Sequence, residues 1–96
     1  MGRARATTLE LQLRLYVAGS APNSLRAIAS TRAICDLHFP GVHSLEIVDL
    51  LEHPKRGLAD RIIVTPTLIR LRPLPVHRMV GNLSDTEQVL LTLAFK

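Results

Sequence analysis

Apolar and polar residues alternate strictly near the start of the chain. Residues 9–17 read LELQLRLYV, with leucine or valine at each odd position. A period of two sends these side chains to one face of a β-strand, so we predict a strand over residues 9–17 with a single apolar face. The opposite face would carry the more polar set Glu10, Gln12, Arg14 and Tyr16.

A helical spacing of apolar positions follows. It predicts a helix over about residues 23–37, since side chains three or four positions apart share one helical face. The preceding PNS step at residues 22–24 offers turn and capping chemistry, and Pro40-Gly41 ends the helix. The positions expected to face the core are Leu25, Ile28, Thr31, Ile34 and Cys35.

A second strand is predicted over residues 44–51, SLEIVDLL. A β-α-β unit of this length implies parallel pairing with a right-handed crossover. Beyond it the local signals conflict. Pro54 can start a helix that Gly57 interrupts, so only a turn or two is expected there.

Two short strands are predicted over residues 67–71 and 76–80, joined around Pro73 and Pro75. Ser84 and Glu87 have the spacing of a helix capping box, and we predict a final helix through Leu90, Leu91, Leu93 and Ala94. The order β-α-β-α-β-β-α is typical of an α/β domain of the thioredoxin-like class. Such folds place a cis proline before their third strand, where this chain has Thr65-Pro66.

Length and composition limit the function classes. The 96 residues suit a single domain, with residues 1–8 expected to be a flexible N-terminus. The net charge of +4 suits an acidic partner surface, but the basic residues are scattered and only three residues are aromatic, so we expect no nucleic acid partner. The longest apolar runs are short, which predicts a cytoplasmic protein without a membrane segment.

Candidate catalytic chemistry is weak throughout. The redox cysteine pair of a thioredoxin would lie after the first strand, where residues 20–23 read SAPN, and Cys35 is the only cysteine of the chain. Cys35, His38 and His43 could suggest a metal site, but a buried thiol and solvated imidazoles are expected instead. The carboxylates that could be offered as acid–base groups are expected to be solvated: Asp49, Glu52 and Asp60.

Several long motifs in order resemble the KaiB family of circadian clock proteins. They are LYVAGSAPNSLRA at residues 15–27, IVDLLEHP at 47–54, VTPTL at 64–68 and PLPVHRMVGNLSD at 73–85. The resemblance implies a non-enzymatic clock component without a cofactor, which binds the ATPase ring of KaiC and modulates its phosphorylation. KaiA or sensor histidine kinases of the clock output would be further partners, and a dimer or tetramer is implied at rest.

The resemblance also assigns roles to matched positions. Four basic residues become candidates for contact with an acidic partner surface: Arg14, Arg26, Arg61 and Arg78. The family usually has Lys where this chain has Arg14 and Arg61, and also where it has Glu46. The reversed charge at Glu46 bears on which partner is bound.

Family members switch folds, and the resemblance implies an alternative packing of the second half. The conflicting signals after Leu50 make two packings plausible. The slow isomerisation of X-Pro bonds at Pro66, Pro73 or Pro75 would supply a barrier between them. Thr92 and Ala94 stand where the family usually has Gly and Asp, which favours the terminal helix of the thioredoxin-like form.

The alternative function is a thioredoxin-fold redox or stress-related module outside the clock. The absence of a cysteine pair weighs against redox catalysis. The basic positions favour a surface that binds protein.

Overall fold

The computed structural model describes residues 10–81, 83 and 86–94. The predicted order of elements is confirmed. The strands are β1 (Leu11–Val17), β2 (His43–Asp49), β3 (Thr67–Arg72) and β4 (His77–Val80), and the helices are α1 (Pro22–His38), α2 (Pro54–Ala59) and α3 (Thr86–Ala94). The predicted flexible N-terminus, Leu9 and the capping residue Ser84 lie outside the described residues.

The strands form one mixed sheet in the order β2-β1-β3-β4. β1 pairs in parallel with β2, as predicted, and antiparallel with β3, which in turn pairs antiparallel with β4. The bond between Thr65 and Pro66 is cis, as the thioredoxin-like order predicts, and the bonds before Pro73 and Pro75 are cis as well. Within the described ranges, no helix combines the length and apolar character needed to span a membrane.

The apolar face of β1 forms the centre of the main core. Its alternating residues are almost fully buried beneath α1 and α3, together with Leu68 of β3. Val89 and Leu93 bring α3 into the same cluster. The strand alternation therefore predicts this core correctly, because a period of two requires one face to be buried as a unit.

The opposite face of β1 is not the polar surface that the alternation predicts. Tyr16 is 1% exposed and forms a second, smaller core with Val48 and Ile69, against which Leu50 and Ile62 pack. α2 covers this face, since the Tyr16 hydroxyl reaches the backbone of the helix. A tyrosine can be buried in this way because its ring is apolar while its hydroxyl still finds an acceptor.

Two expectations about α1 are corrected. Leu25 is 53% exposed, and Ala27 and Ser24 take the buried positions of the first turn instead. The N-cap is Ala21, whose side chain has no acceptor, with Pro22 in the first turn. Because proline presets the helical φ and has no N–H to satisfy, it can start the helix without a polar cap.

Gly57 is part of α2 and does not interrupt it. It is buried, and a Cβ built on it would lie 2.6 Å from Cδ2 of Leu50. The missing side chain therefore lets the short helix approach the end of β2 closely. The sequence indicates the cost of a helical glycine but not this close approach, which depends on the tertiary packing.

Candidate protein-interaction site

The turn between β1 and α1 is closed by its own hydrogen bonds. The backbone N–H of Ala18 donates to Ser24 Oγ at 3.0 Å. The N–H groups of Gly19 and Leu51 both donate to Asp49 Oδ1, each at 2.9 Å. Asp49 thus ties the turn to the end of β2, which corrects the expectation of a solvated carboxylate.

Cys35 is fully buried in the main core. Burial raises the pKa of its thiol to about 11, because the thiolate would be poorly solvated there. A thiol that stays protonated near neutral pH is a poor nucleophile. The prediction of a buried thiol at Cys35 is therefore confirmed.

The residues considered for a metal site do not form one. His43 Nδ1 lies 2.7 Å from the carbonyl oxygen of Phe39, and its Nε2 lies 3.7 Å from Asp36. In residues 10–81, 83 and 86–94, no group of three or more His, Cys, Asp and Glu side chains could hold a metal ion.

A cluster of charged and polar side chains connects α2 to the sheet. We call it the Glu46 cluster, and its members are Arg14, Tyr16, Glu46, Arg56 and Asp60. Arg14 Nε donates to Glu46 at 2.8 Å and Arg14 Nη1 to Asp60 at 3.0 Å. Arg56 donates to both oxygens of Glu46, at 2.6 and 3.0 Å. The Tyr16 hydroxyl donates to Asp60 Oδ2 at 2.5 Å.

These contacts favour the ionised carboxylates. The pKa of Glu46 falls from 4.5 to about 2, first through its hydrogen bonds from Arg56 and then through those from Arg14. The pKa of Asp60 is lowered, first by the hydrogen bond from Tyr16 and then by Arg14, although burial opposes the shift. Asp60 is therefore a paired carboxylate and not the solvated one that was expected.

The register of the parallel strands explains why a glutamate is favourable at position 46. Arg14 and Glu46 are direct partners across β1 and β2. Opposite charges on directly paired strand positions stabilise a sheet, whereas a lysine at position 46 would face Arg14 with a like charge. Aligning the two strand patterns would have revealed this pair, but Asp60 and Arg56 approach it only through the fold.

Two of the basic candidates lie together on the same face of the sheet. Arg78, on β4, donates to the backbone carbonyl of Arg61 at 3.3 Å and also to that of Asp60. Arg61 follows α2 directly and has a φ of 56°. Both residues are exposed. Arg14 joins them only indirectly, through the Asp60 carboxylate, and its own side chain is 24% exposed.

Arg26 is separated from this group. It lies on α1, in the layer on the other face of the sheet, and its guanidinium donates to Asn23 Oδ1 at 2.6 Å. The structure therefore brings Arg61 and Arg78 together and places Arg26 apart from them.

Exposed apolar side chains accompany Arg61, and sequence reasoning missed them. Leu58 is 78% exposed, Ile63 92% and Val64 48%. All belong to residues 58–64, in which the N–H of Arg61 donates to the carbonyl of Leu58 at 3.1 Å. We call Arg61, Arg78 and these three apolar residues the Arg61 surface. An apolar surface beside positive charge is suited to binding a protein.

Several known proteins are similar to this chain in sequence. The KaiB domain model matches residues 14–95. The circadian clock oscillator protein KaiB of Synechococcus elongatus is 47% identical over 81 residues, covering 84% of this chain and 79% of that protein. The protein of the same name from Prochlorococcus marinus strain MIT 9313 is 48% identical over 81 residues, covering 84% and 68%.

Solved structures share the fold at low sequence identity. The N-terminal domain of Synechococcus elongatus SasA superposes with a TM-score of 0.75 at 23% identity, covering 97% of this chain and 88% of that one. Chloroplastic thioredoxin z gives a TM-score of 0.76 at 16% identity, covering 92% and 79%. The α/β, thioredoxin-like fold is thereby confirmed. On the extent of the domain match and the identity to these relatives, the chain belongs to the KaiB family.

Proposed function

We propose that this protein is a non-enzymatic component of a circadian clock that binds a KaiC-type ATPase ring and modulates its phosphorylation cycle. Family membership supports the clock role. The observation that carries the binding proposal is the Arg61 surface, where two exposed arginines accompany exposed apolar residues of the segment 58–64.

The chemistry of this surface favours an acidic protein partner. Arg61 and Arg78 would raise the rate of encounter with negative charge, and the contribution falls as salt screens the charges. Leu58 and Ile63 are so exposed that covering them would add apolar burial to the same contact. Arginine can also bind carboxylates through two hydrogen bonds at once, which fixes orientation.

Arg14 has a different role in this proposal. Its guanidinium already binds Glu46 and Asp60, so using it for a partner would mean breaking two internal ion pairs. It therefore supports the surface indirectly, by holding Asp60, whose backbone carbonyl accepts from Arg78. Arg26 would contact a partner only if the interface extended around to α1.

The proposal includes a resting state that differs from the partner-bound one. A dimer or tetramer with a repacked second half would form at rest, and the thioredoxin-like arrangement described above would be the form that binds the ATPase ring. KaiA or a sensor histidine kinase of the clock output would be further partners of the bound form.

The test is binding to the purified KaiC-type ATPase of the same genome, measured by biolayer interferometry at low and high salt. We expect wild-type protein to bind, with an association rate that falls as salt rises. The triple variant Arg61→Ala, Arg78→Ala and Ile63→Ser should bind at least tenfold more weakly, because each change truncates the centre of the proposed surface.

A matched variant separates this surface from net charge. The control variant changes two other exposed arginines, Arg32 and Arg72, which lie outside the Arg61 surface. Arg32→Ala with Arg72→Ala removes two positive charges, as many as the triple variant does. This control should retain the affinity within about twofold. If both variants lose the same affinity, the Arg61 surface contributes through its net charge alone. If the wild-type protein does not bind, the proposed function is refuted.

A further inference from the structure

Arg70 is a buried arginine that joins two segments of the second half of the chain. It lies in β3 on the same face as Leu68, and it is 1% exposed. Its Nη1 donates to the carbonyl of Thr92 at 2.9 Å and, more weakly, to that of Leu93 at 3.5 Å. Its Nη2 donates to the carbonyl of Pro75 at 2.9 Å.

Two of the acceptors lie at the C-terminal end of a helix. Thr92 and Leu93 are in the last turn of α3, whose carbonyls have no N–H ahead of them within the helix. A positive charge at this end also interacts favourably with the helix dipole. Pro75 lies in the turn between β3 and β4. One rigid guanidinium can satisfy both segments because its donors point in fixed, divergent directions.

We infer that Arg70 is a positioning residue that couples the last turn of α3 to the turn between β3 and β4, so that the two open and close as one unit. The first two strands have other contacts as well. β1 and β2 are held by their own ladder, by the main core and by the Glu46 cluster. Neither family membership nor the proposed partner binding assigns this role to Arg70.

Burial makes the coupling strong. If α3 moves away, the buried guanidinium loses its acceptors at Thr92 and Leu93, and burying a charge with fewer acceptors is costly. Arg70 would then have to leave its site, which also removes the donor to Pro75. Local opening of either segment therefore favours opening of the other.

The test is native-state hydrogen exchange followed by NMR. In wild type, the protected amides of α3 and β4 should share one opening equilibrium, with protection factors within about threefold of each other. In Arg70→Met, protection in α3 should fall at least tenfold more than in β4, while protection in β1 and β2 changes less than twofold.

Two further variants complete the experiment. Arg72→Met removes an exposed arginine from the end of the same strand and should leave all of these protection factors unchanged. Arg70→Lys keeps the charge but has one ammonium group, so α3 and β4 should separate to an intermediate extent. If Arg70→Met does not fold, Arg70→Lys alone decides the question.

The inference is overturned by either of two results. In the first, α3, β4 and β1 lose protection by the same factor, which would make Arg70 a contributor to global stability only. In the second, α3 and β4 lack the coupling proposed for Arg70: they already open independently in wild type, or they still open together when Arg70 is removed.

Discussion

Arg78 Nη1 lies 3.3 Å from the carbonyl oxygen of Arg61, to which it donates a hydrogen bond across the gap between β4 and the end of α2. The contact fixes the backbone on which the Arg61 side chain is carried, and Arg78 also donates to the neighbouring carbonyl of Asp60. Two exposed arginines are thereby carried on adjoining parts of the backbone. The Arg78 side chain is positioned by backbone acceptors, whereas Arg61 contributes its own carbonyl, so we expect changes at the two positions to affect stability and binding differently.

Arg61→Gly is expected to stabilise the fold while weakening partner binding. Arg61 has a φ of 56°, a conformation that costs L-residues about 1–2 kcal/mol but costs glycine little. Glycine loses more entropy on folding, so the net gain in unfolding free energy should be about 0.5 kcal/mol. Urea denaturation would measure the stability, and interferometry the affinity.

Arg61→Ala is the matched comparison for this prediction. It removes the same guanidinium but retains a side chain at the positive φ, so its binding should weaken as in Arg61→Gly without the gain in stability. If both variants have the same unfolding free energy, the backbone conformation at position 61 contributes nothing measurable.

Glu46→Gln should destabilise the protein near neutral pH and much less in acid. The folded-state pKa of Glu46 is lowered from 4.5 to about 2, so its stabilisation is complete above the unfolded value and is lost as the pH falls through the folded one. The side chain is 46% exposed, so screening limits the effect to about 0.5–1 kcal/mol. Urea denaturation of both proteins from about pH 7 to about pH 2 would measure it.

The pH profile contains the control for the Glu46 prediction. Asp60, whose pKa is also lowered, titrates in both proteins, so the difference between them reports on Glu46 together with its coupling to Asp60 through Arg14. Glu52→Gln, at a side chain that is 73% exposed, should change the unfolding free energy little at any pH. A constant difference between wild type and Glu46→Gln across the whole range would show that the pairing of Glu46 is not what stabilises it.

Cys35 should resist thiol reagents in the folded protein. Its side chain is fully buried and its pKa is raised to about 11, so reaction requires the core to open. We expect labelling by Ellman's reagent to be at least about 100-fold slower in buffer than in concentrated urea. Rapid labelling of native protein would contradict this. We also expect no insulin-disulfide reduction, and activity that survives Cys35→Ser would refute that separate expectation.

Thr92→Gly combined with Ala94→Asp should reduce the helical population of α3. Glycine is a poor helix former, and a carboxylate near a helix C-terminus interacts unfavourably with the dipole. Together they should shift the equilibrium away from the helix by about 1 kcal/mol, or about fivefold in population. Backbone chemical shifts of residues 89–94 would report it, and an unchanged helical fraction would refute the propensity argument. The single change Arg32→Ala on α1 serves as the control.

The sequence predicts the elements well where one local pattern decides them. The alternation in β1 identifies the residues of the main core, because a strand buried on one face must repeat every two positions. The same alternation gives the wrong environment for Tyr16, whose burial depends on α2 lying across it. The prediction that Leu25 is buried is wrong for a related reason, since the way α1 packs on the sheet decides which of its faces is buried.

The candidate site is only partly accessible to sequence reasoning. Motif resemblance selects Arg61 and Arg78 separately, but a hydrogen bond between residues 17 positions apart reflects the tertiary fold. Arg14 could be assigned to the Glu46 cluster from strand register alone. The contacts of Arg70 with Thr92 and Pro75 could not be predicted in this way, because an arginine in a strand pattern is normally expected to face solvent.

The two faces of the sheet are held by different balances of forces, and added salt should therefore affect them differently. α2 is attached through the small apolar core around Tyr16 and also through the ion pairs of the Glu46 cluster, which mobile ions screen. α1 and α3 are attached through the apolar core, which a strongly excluded salt such as sulfate reinforces. Raising the ionic strength should therefore weaken the attachment of α2 more than that of α1.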